Sequence, residues 1–424
     1  MSRISSLTPS VLDPAWGNTR SKLIDLADQG LGISLNLLLF SLPMAYITAV
    51  RELSLGLAVF FWVALMVLRK KVLWPKTPVD LPYLVWVSMA FLSLLTATNP
   101  GYSFKEIQGE VLKGGLLFYL VYYAFSEKSG PRSAQMGFIL IAGNCAMVLF
   151  GFWDFFRLGG SLSDYTIRAG SFHYVYGAYG TYLIMVFPFL FFAGLSPAYR
   201  KIRWLLWALV LMNIVSLFIT FGRAMWVAAA LEGIVIGLLL KKKKILLGIA
   251  LFLVVLFLLI PKSVWFHGEN VSESQDRVSQ EIGGTGGDLL EVWRLMGAFL
   301  QERPFQGIGY GRQSFSETFT EFRARHQPLL WHAHNIFLDI IFQTGLQGFL
   351  AFVWLLASIF VILFRKGRAG PDNRVDLIRL AAMTMMVGFA VRNFFDSYYV
   401  DDSALLFWYL LGAALAIKEE DQTA

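Results

Sequence analysis

The residues of this chain that could do chemistry are scattered through apolar surroundings: Arg168, Arg223, Arg312, His334 and Asp396. His334 belongs to Trp331-His332-Ala333-His334-Asn335, where a polar stretch running from Lys262 gives way to an apolar segment. A histidine exchanges a proton near neutral pH, so acid-base chemistry is expected at this edge. Standing alone, such a histidine would more often be an interfacial side chain capping a helix. The cations change that weighting. Thr220-Phe221-Gly222-Arg223-Ala224-Met225-Trp226 reads as an abrupt turn between two apolar segments, and an arginine there needs an anion, either a buried ion-pair partner or a phosphate. Arg168, in Arg168-Ala169-Gly170-Ser171-Phe172-His173, is a second cation, while Arg312 or Arg294 offers a third. Asp396, beside Arg392, is either a salt-bridge partner or the group that orients His334. Arginines around one histidine suit a diphosphate-bearing substrate and a hydroxyl acceptor, with the cations stabilising the departing phosphate and the base removing the hydroxyl proton. Asp401-Asp402 lacks a nearby histidine or third carboxylate, so no metal and no other cofactor is expected.

Whatever positions these residues lies in a membrane. The chain has 424 residues, of which 56% are hydrophobic and only 15% charged, whereas soluble domains carry about 25% charge. A net charge of +7 would fit a nucleic-acid partner, but the basic residues sit in short clusters between apolar runs. Membrane topology explains them better, so the expected surroundings are lipids and no nucleic acid. Cys145 is the only cysteine, which excludes an intramolecular disulfide. The first thirty residues contain Asp13, Asp25 and Asp28 and no apolar core, unlike a cleavable signal peptide. Ser21 to Gln29 is expected to lie on the membrane surface as a short amphipathic helix.

A bilayer core takes about 20 apolar residues. The predicted fold is therefore an all-α polytopic membrane protein of about twelve spans, at 31–49, 53–68, 81–97, 111–125, 134–156, 174–195, 204–221, 224–240, 245–261, 336–364, 377–395 and 404–417. The organisation that follows is an interfacial N-terminus over 1–30, nine spans over 31–261, one long loop over 262–333, three spans over 334–417 and a tail over 418–424. Within the loop, Gly283 to Gly287 reads as flexible, Glu291 to Glu302 as a short amphipathic helix, and Pro304 to Gly311 as a tight glycine-rich turn. Clusters such as Arg69-Lys70-Lys71, Arg200-Lys201 and Lys241 to Lys244 occupy alternate loops, and the loops between them hold isolated residues such as Arg51, Lys105 and Arg157. By the positive-inside rule both termini are cytoplasmic, and the long loop with all the candidate residues faces the periplasm of a bacterial inner membrane.

In this order and spacing the chain resembles the O-antigen ligase and polymerase family of bacterial envelope enzymes, which includes protein O-oligosaccharyltransferases. The resemblance is carried by Arg168 with Gly170 and Phe172, Gly222-Arg223 with Trp226, Pro304 with Gly307, Gly309 and Gly311, and His334-Asn335 with Gly345 and Gly348. It implies a fold of the lipid-linked-sugar glycosyltransferase (GT-C-like) type. It also implies transfer of polysaccharide from an undecaprenyl-diphosphate-linked O-antigen donor to a sugar hydroxyl of a lipid A-core acceptor, by inverting, metal-independent displacement. His334 is then the expected base, Arg223 and Arg168 hold the diphosphate, and His332 and Asn335 contact or orient the acceptor. Asp288 to Val292 supply no arginine ahead of Trp293, where relatives often carry one, so Arg294 or Arg312 would provide that charge. Polymerase and protein O-oligosaccharyltransferase activities are the alternatives within the family. A lipid-linked-oligosaccharide transporter is the alternative outside it, disfavoured because the spans are nearly free of charge at their centres.

Overall fold

Long apolar runs must satisfy their own backbone hydrogen bonds in lipid, and helices do so within one segment. The computed structural model describes residues 14–162, 166–173, 175–244, 248, 286–322, 332–367, 374–399 and 401–418, and among these there is no β-strand. The helices are α1 (Pro14–Ser41), α2 (Thr48–Arg69), α3 (Asp80–Leu92), α4 (Pro100–Glu106), α5 (Lys113–Glu127), α6 (Ser129–Arg157), α7 (Tyr176–Leu195), α8 (Arg203–Ile219), α9 (Arg223–Leu239), α10 (Gly286–Glu302), α11 (Gln313–Thr318), α12 (Ile336–Lys366), α13 (Arg374–Phe394) and α14 (Asp401–Ala416). A π-helical stretch, Ile107–Leu112, joins α4 to α5. This is a helical membrane protein. Among the described residues, six helical stretches are long and apolar enough to cross a membrane: Thr19–Ser41, Ala45–Arg69, Ser129–Arg157, Tyr176–Leu195, Pro197–Ile219 and Ile336–Lys366.

Several expectations change. The stretch Ser21 to Gln29 is no separate surface helix, and the first span is not 31–49, because α1 runs unbroken from Pro14 to Ser41. Gly30 suggests a boundary in the sequence, yet it is a close-packing position: a Cβ there would lie 2.5 Å from the Phe61 ring of α2. Arg51 is not a loop residue but buried in the first turn of α2, ion-paired with Asp402. The predicted ninth span, 245–261, lies outside the described residues apart from Gly248, as do Gly283 to Thr285 of the glycine run and Trp331. The loop helix α10 starts one to two turns earlier than Glu291.

Burial sorts the helices into layers. α14 is buried along nearly its whole length and α7 along most of it, whereas α1, α2 and α8 expose Ile33, Leu37, Phe60, Val67, Trp204 and Leu211, as lipid-facing surfaces do. Paired polar groups stitch the layers together. Asn144 and Asn213 exchange amide hydrogen bonds of 3.1 and 2.7 Å between α6 and α8, and Asp28 of α1 pairs with Arg132 and Lys128 at 2.7 Å. Glu232 is fully buried in the middle of α9 with neither carboxyl oxygen partnered.

One end of the bundle gathers the starts of α2, α5, α7, α9, α12 and α14 and the ends of α8 and α13. Lys113 of α5 pairs with Glu52 of α2 at 2.5 Å, and the Ala169 amide donates to the Ile219 carbonyl at the end of α8. The segment around Pro304 is anchored at this end by α12 itself. α12 breaks at Gly345 (φ +74°, ψ 174°), and the backbone groups this releases are taken up by the glycine turn: Ile308 N–H donates to Phe342 O, Gly309 N–H to Gln343 O, and Leu346 N–H to Pro304 O, at 2.9 to 3.1 Å. Gly307 must be glycine for so close an approach, since a Cβ there would lie 2.2 Å from Gln343 O.

Candidate active site

The start of α12 builds the histidine motif. Asn335 caps the helix, its Oδ1 accepting from the Phe337 and Leu338 amides at 2.9 and 3.1 Å. Asp339, in the next turn, accepts from the Ala333 amide at 2.9 Å, and Trp293 of α10 donates to the Ala333 carbonyl at 2.9 Å. Gripped from both sides, His334 takes a left-handed conformation (φ +49°), which costs about 1–2 kcal/mol and turns its ring away from the helix. That ring stacks on His332 with centroids 4.0 Å apart. His332 is buried, and burial pulls its imidazole below the ordinary value against the opposing effect of Asp339. Its Nδ1 lies 3.0 Å from the His334 amide and 3.3 Å from Asp339 Oδ2.

Asp396 completes the pair from the loop after α13. Its Oδ1 lies 3.0 Å from His334 Nδ1 and 2.9 Å from the Ser397 amide, and its Oδ2 3.4 Å from Arg392. Burial alone would push the Asp396 carboxyl up, but the His334 hydrogen bond and the Arg392 charge hold it well below the usual carboxylate range. A carboxylate only accepts, so His334 carries its proton on Nδ1 and presents a lone pair on Nε2, the form a general base needs. Asp396 is thus both salt-bridge partner and orienting group. Donor atoms of His332, His334 and Asp396 also lie within 4.8 Å of one another, a spacing a metal could use; the direct Nδ1 to Oδ1 bond instead makes the pair a carboxylate-oriented base.

The arginines flank this pair across the start of α7. Arg168 lies 4.6 Å from the centre of the Tyr176 ring, and Ser171 in the same loop is left-handed, its hydroxyl tied to Met147 O at 2.6 Å. Arg223 opens α9 after a left-handed Phe221, in a turn fixed by Thr220 to the Gly222 amide and by Trp226 Nε1 to Leu217 O at 2.8 Å. Met225 fills the space a side chain at Gly180 would need, and Tyr398 the space at Gly177. The Arg223 turn and the Asp396 loop therefore rest on adjacent turns of α7. Arg392, beneath Asp396, packs its guanidinium on the Tyr398 ring at 4.4 Å.

Arg312 reaches the same loop, donating to the Ser397 carbonyl at 3.3 Å. Arg294 is exposed on α10, lining a groove with Glu291, Thr318, Thr320 and Glu321. The structure thus joins His332, His334, Asn335 and Asp396 directly, brings Arg312 to the adjoining residue, sets Arg168 and Arg223 on the α7 flank, and assigns Arg294 to a separate groove. Sequence reasoning missed Asp339, for which the only signal is an acidic residue in the first turns of a helix, and the carboxylates Glu106 and Glu110 described below.

Residues 207–353, about a third of the chain, match the family model described as O-antigen ligase. The match takes in Arg223, Arg294, Arg312, His332, His334, Asn335 and the Gly345 break, but not Arg168 or Asp396. No curated protein matches the chain.

Proposed function

We propose, for a chain whose residues 207–353 belong to the O-antigen ligase family, that it is a membrane glycosyltransferase joining a lipid-linked glycan to a sugar hydroxyl. The observation that carries the reading is the His334–Asp396 pair, which leaves a lone pair on His334 Nε2. His334 Nε2 takes the acceptor hydroxyl proton as that oxygen attacks the anomeric carbon. The bond from that carbon to the phosphate oxygen breaks on the opposite face, inverting the configuration, and the leaving diphosphate carries the electron pair. Arg223 and Arg168 hold it, and Asp396 stabilises the imidazolium that forms. His332 and Asn335 hold the base in its left-handed conformation. On this reading the donor is an undecaprenyl-diphosphate-linked O-antigen, the acceptor is lipid A-core, and the site end of the bundle faces the periplasm of a bacterial inner membrane.

The deciding experiment combines purified protein in lipid with a lipid-linked glycan and lipid A-core. A joined product supports the ligase reading, and lengthening of the lipid-linked glycan would replace it with a polymerase. In the same assay His334→Ala and Arg223→Ala are expected to remain folded and to lose transfer. Normal transfer by both variants would overturn the assignment of the site.

A further inference from the structure

Glu106 and Glu110 occupy the one π-helical stretch among the described residues and its entry, and π-segments cluster at functional sites. Four residues overshoot an α-helical turn and undershoot the wider π turn, so two successive steps of four bring Glu110 back above Tyr102. The resulting column, Tyr102, Glu106 and Glu110, meets the glycine turn residue by residue. Tyr310 donates to Glu110 Oε2 at 2.9 Å. Gly311 lies so close that a Cβ would sit 2.7 Å from Glu106 Cγ. The Gln313 amide donates to the Tyr102 hydroxyl at 3.2 Å. Between these contacts sits Arg312, whose charge acts on all three column side chains.

Burial pushes the Glu110 carboxyl up to about 8, so at neutral pH Glu106 is the carboxylate that faces the guanidinium, and Asp401 adds a further negative charge within reach of both glutamates, leaving no net positive charge. A diphosphate is repelled by such a neighbourhood. We propose that Arg312 is a positioning residue rather than a phosphate ligand, held by Glu106 and Glu110 so that its grip on the Ser397 carbonyl fixes Asp396, and through it the His334 base. The relay is short: Arg312 binds Ser397 O, the Ser397 amide donates to Asp396 Oδ1, and that oxygen orients His334 Nδ1. This inference rests on His334 being the base of the proposed transferase.

The test measures donor KM and kcat for Glu110→Gln, Glu106→Gln and Arg312→Gln in the lipid-reconstituted full chain, alongside thermal unfolding. A positioning role lowers kcat by about tenfold or more in Glu106→Gln and Arg312→Gln, as loss of an outer partner of an oriented histidine does, and leaves donor KM within about twofold. If Arg312 holds phosphate, the signs change: removing a neighbouring negative charge strengthens its pull, so Glu106→Gln lowers donor KM and Arg312→Gln raises it, while Glu110→Gln, whose carboxyl burial pushes up to about 8, leaves it near wild type. That pattern would overturn the inference while leaving the base assignment intact. Wild-type kcat in all three folded variants would also overturn it. Failure of the underlying reading shows up separately, as undiminished transfer by His334→Ala. Should Arg312→Gln fail to fold, Glu106→Gln, which leaves the Tyr310–Glu110 hydrogen bond in place, carries the same comparison.

Discussion

Replacing Asp396 with asparagine removes a charge while keeping an oxygen in nearly the same place. The carboxylate accepts from His334 Nδ1 and the Ser397 amide and pairs with Arg392, and an amide oxygen can keep the first two contacts. What it loses is the charge that stabilises the ring once a proton has arrived on Nε2. A hydrogen bond to a charged group is worth about 1.5–3 kcal/mol, and about 1.4 kcal/mol is tenfold in rate. Asp396→Asn should therefore lower kcat roughly ten- to 150-fold with KM little changed. It also strips the partner from Arg392, which is 2% exposed and already has an unpartnered Nε. Breaking a fully buried pair costs about 3–5 kcal/mol, but the Asp396 side chain is 28% exposed and the contact is 3.4 Å, so a stability loss of about 1–2 kcal/mol is expected. Because the folded carboxyl sits below its ordinary value of 3.8, its stabilisation is fully present above that value and is lost as pH falls through the folded one. The gap in unfolding temperature between wild type and variant should thus persist from pH 8 to about pH 5 and close only in stronger acid. Single-turnover transfer and thermal unfolding across that range check both parts. An Asp396→Asn enzyme with kcat within twofold of wild type and an unchanged unfolding temperature would refute the reasoning.

Two further outcomes follow from close contacts. Gly345→Ala places a Cβ 2.8 Å from the Phe305 carbonyl at a φ, ψ pair that is essentially glycine-only, so a loss of about 1–3 kcal/mol by thermal unfolding is expected together with slower transfer. Gly388→Ala drives a Cβ to 2.0 Å from Glu232 Oε1; it should destabilise by about 1–3 kcal/mol in the wild type and by clearly less in a Glu232→Ala background, a non-additivity that a double-mutant cycle of unfolding measurements reads directly.

How much of this was legible in the sequence depended on the range of the interaction. Of the twelve spans expected from apolar length, six coincide at least in part with helices long and apolar enough to cross a membrane, because burial in lipid is a property of a local window. Apolar length failed at Gly30, where a residue type that reads as punctuation serves to let two helices touch. His334, Asn335 and Asp396 were legible because each is a polar residue out of place at an apolar boundary, and Arg223 because it interrupts a hairpin. Their joint geometry was not, since the His334–Asp396 bond spans 62 positions. Glu106 and Glu110 left no mark at all: their meaning comes from Tyr310 and Arg312, some 200 residues away, and from a local π winding that no hydrophobic period announces.

The interruption of α12 at Gly345 separates two structural loyalties within one continuous stretch of chain. Above it, the nine residues carrying the Asn335 cap and Asp339 are bonded sideways to the glycine turn; below it, the long apolar remainder answers to the surrounding lipid. A bilayer that thickens or thins can therefore lean the lower rod and spend that motion at a joint where the axial ladder is already cut. His334 thus takes its alignment from the glycine turn, across the break, and not from the axial ladder of the long segment that follows.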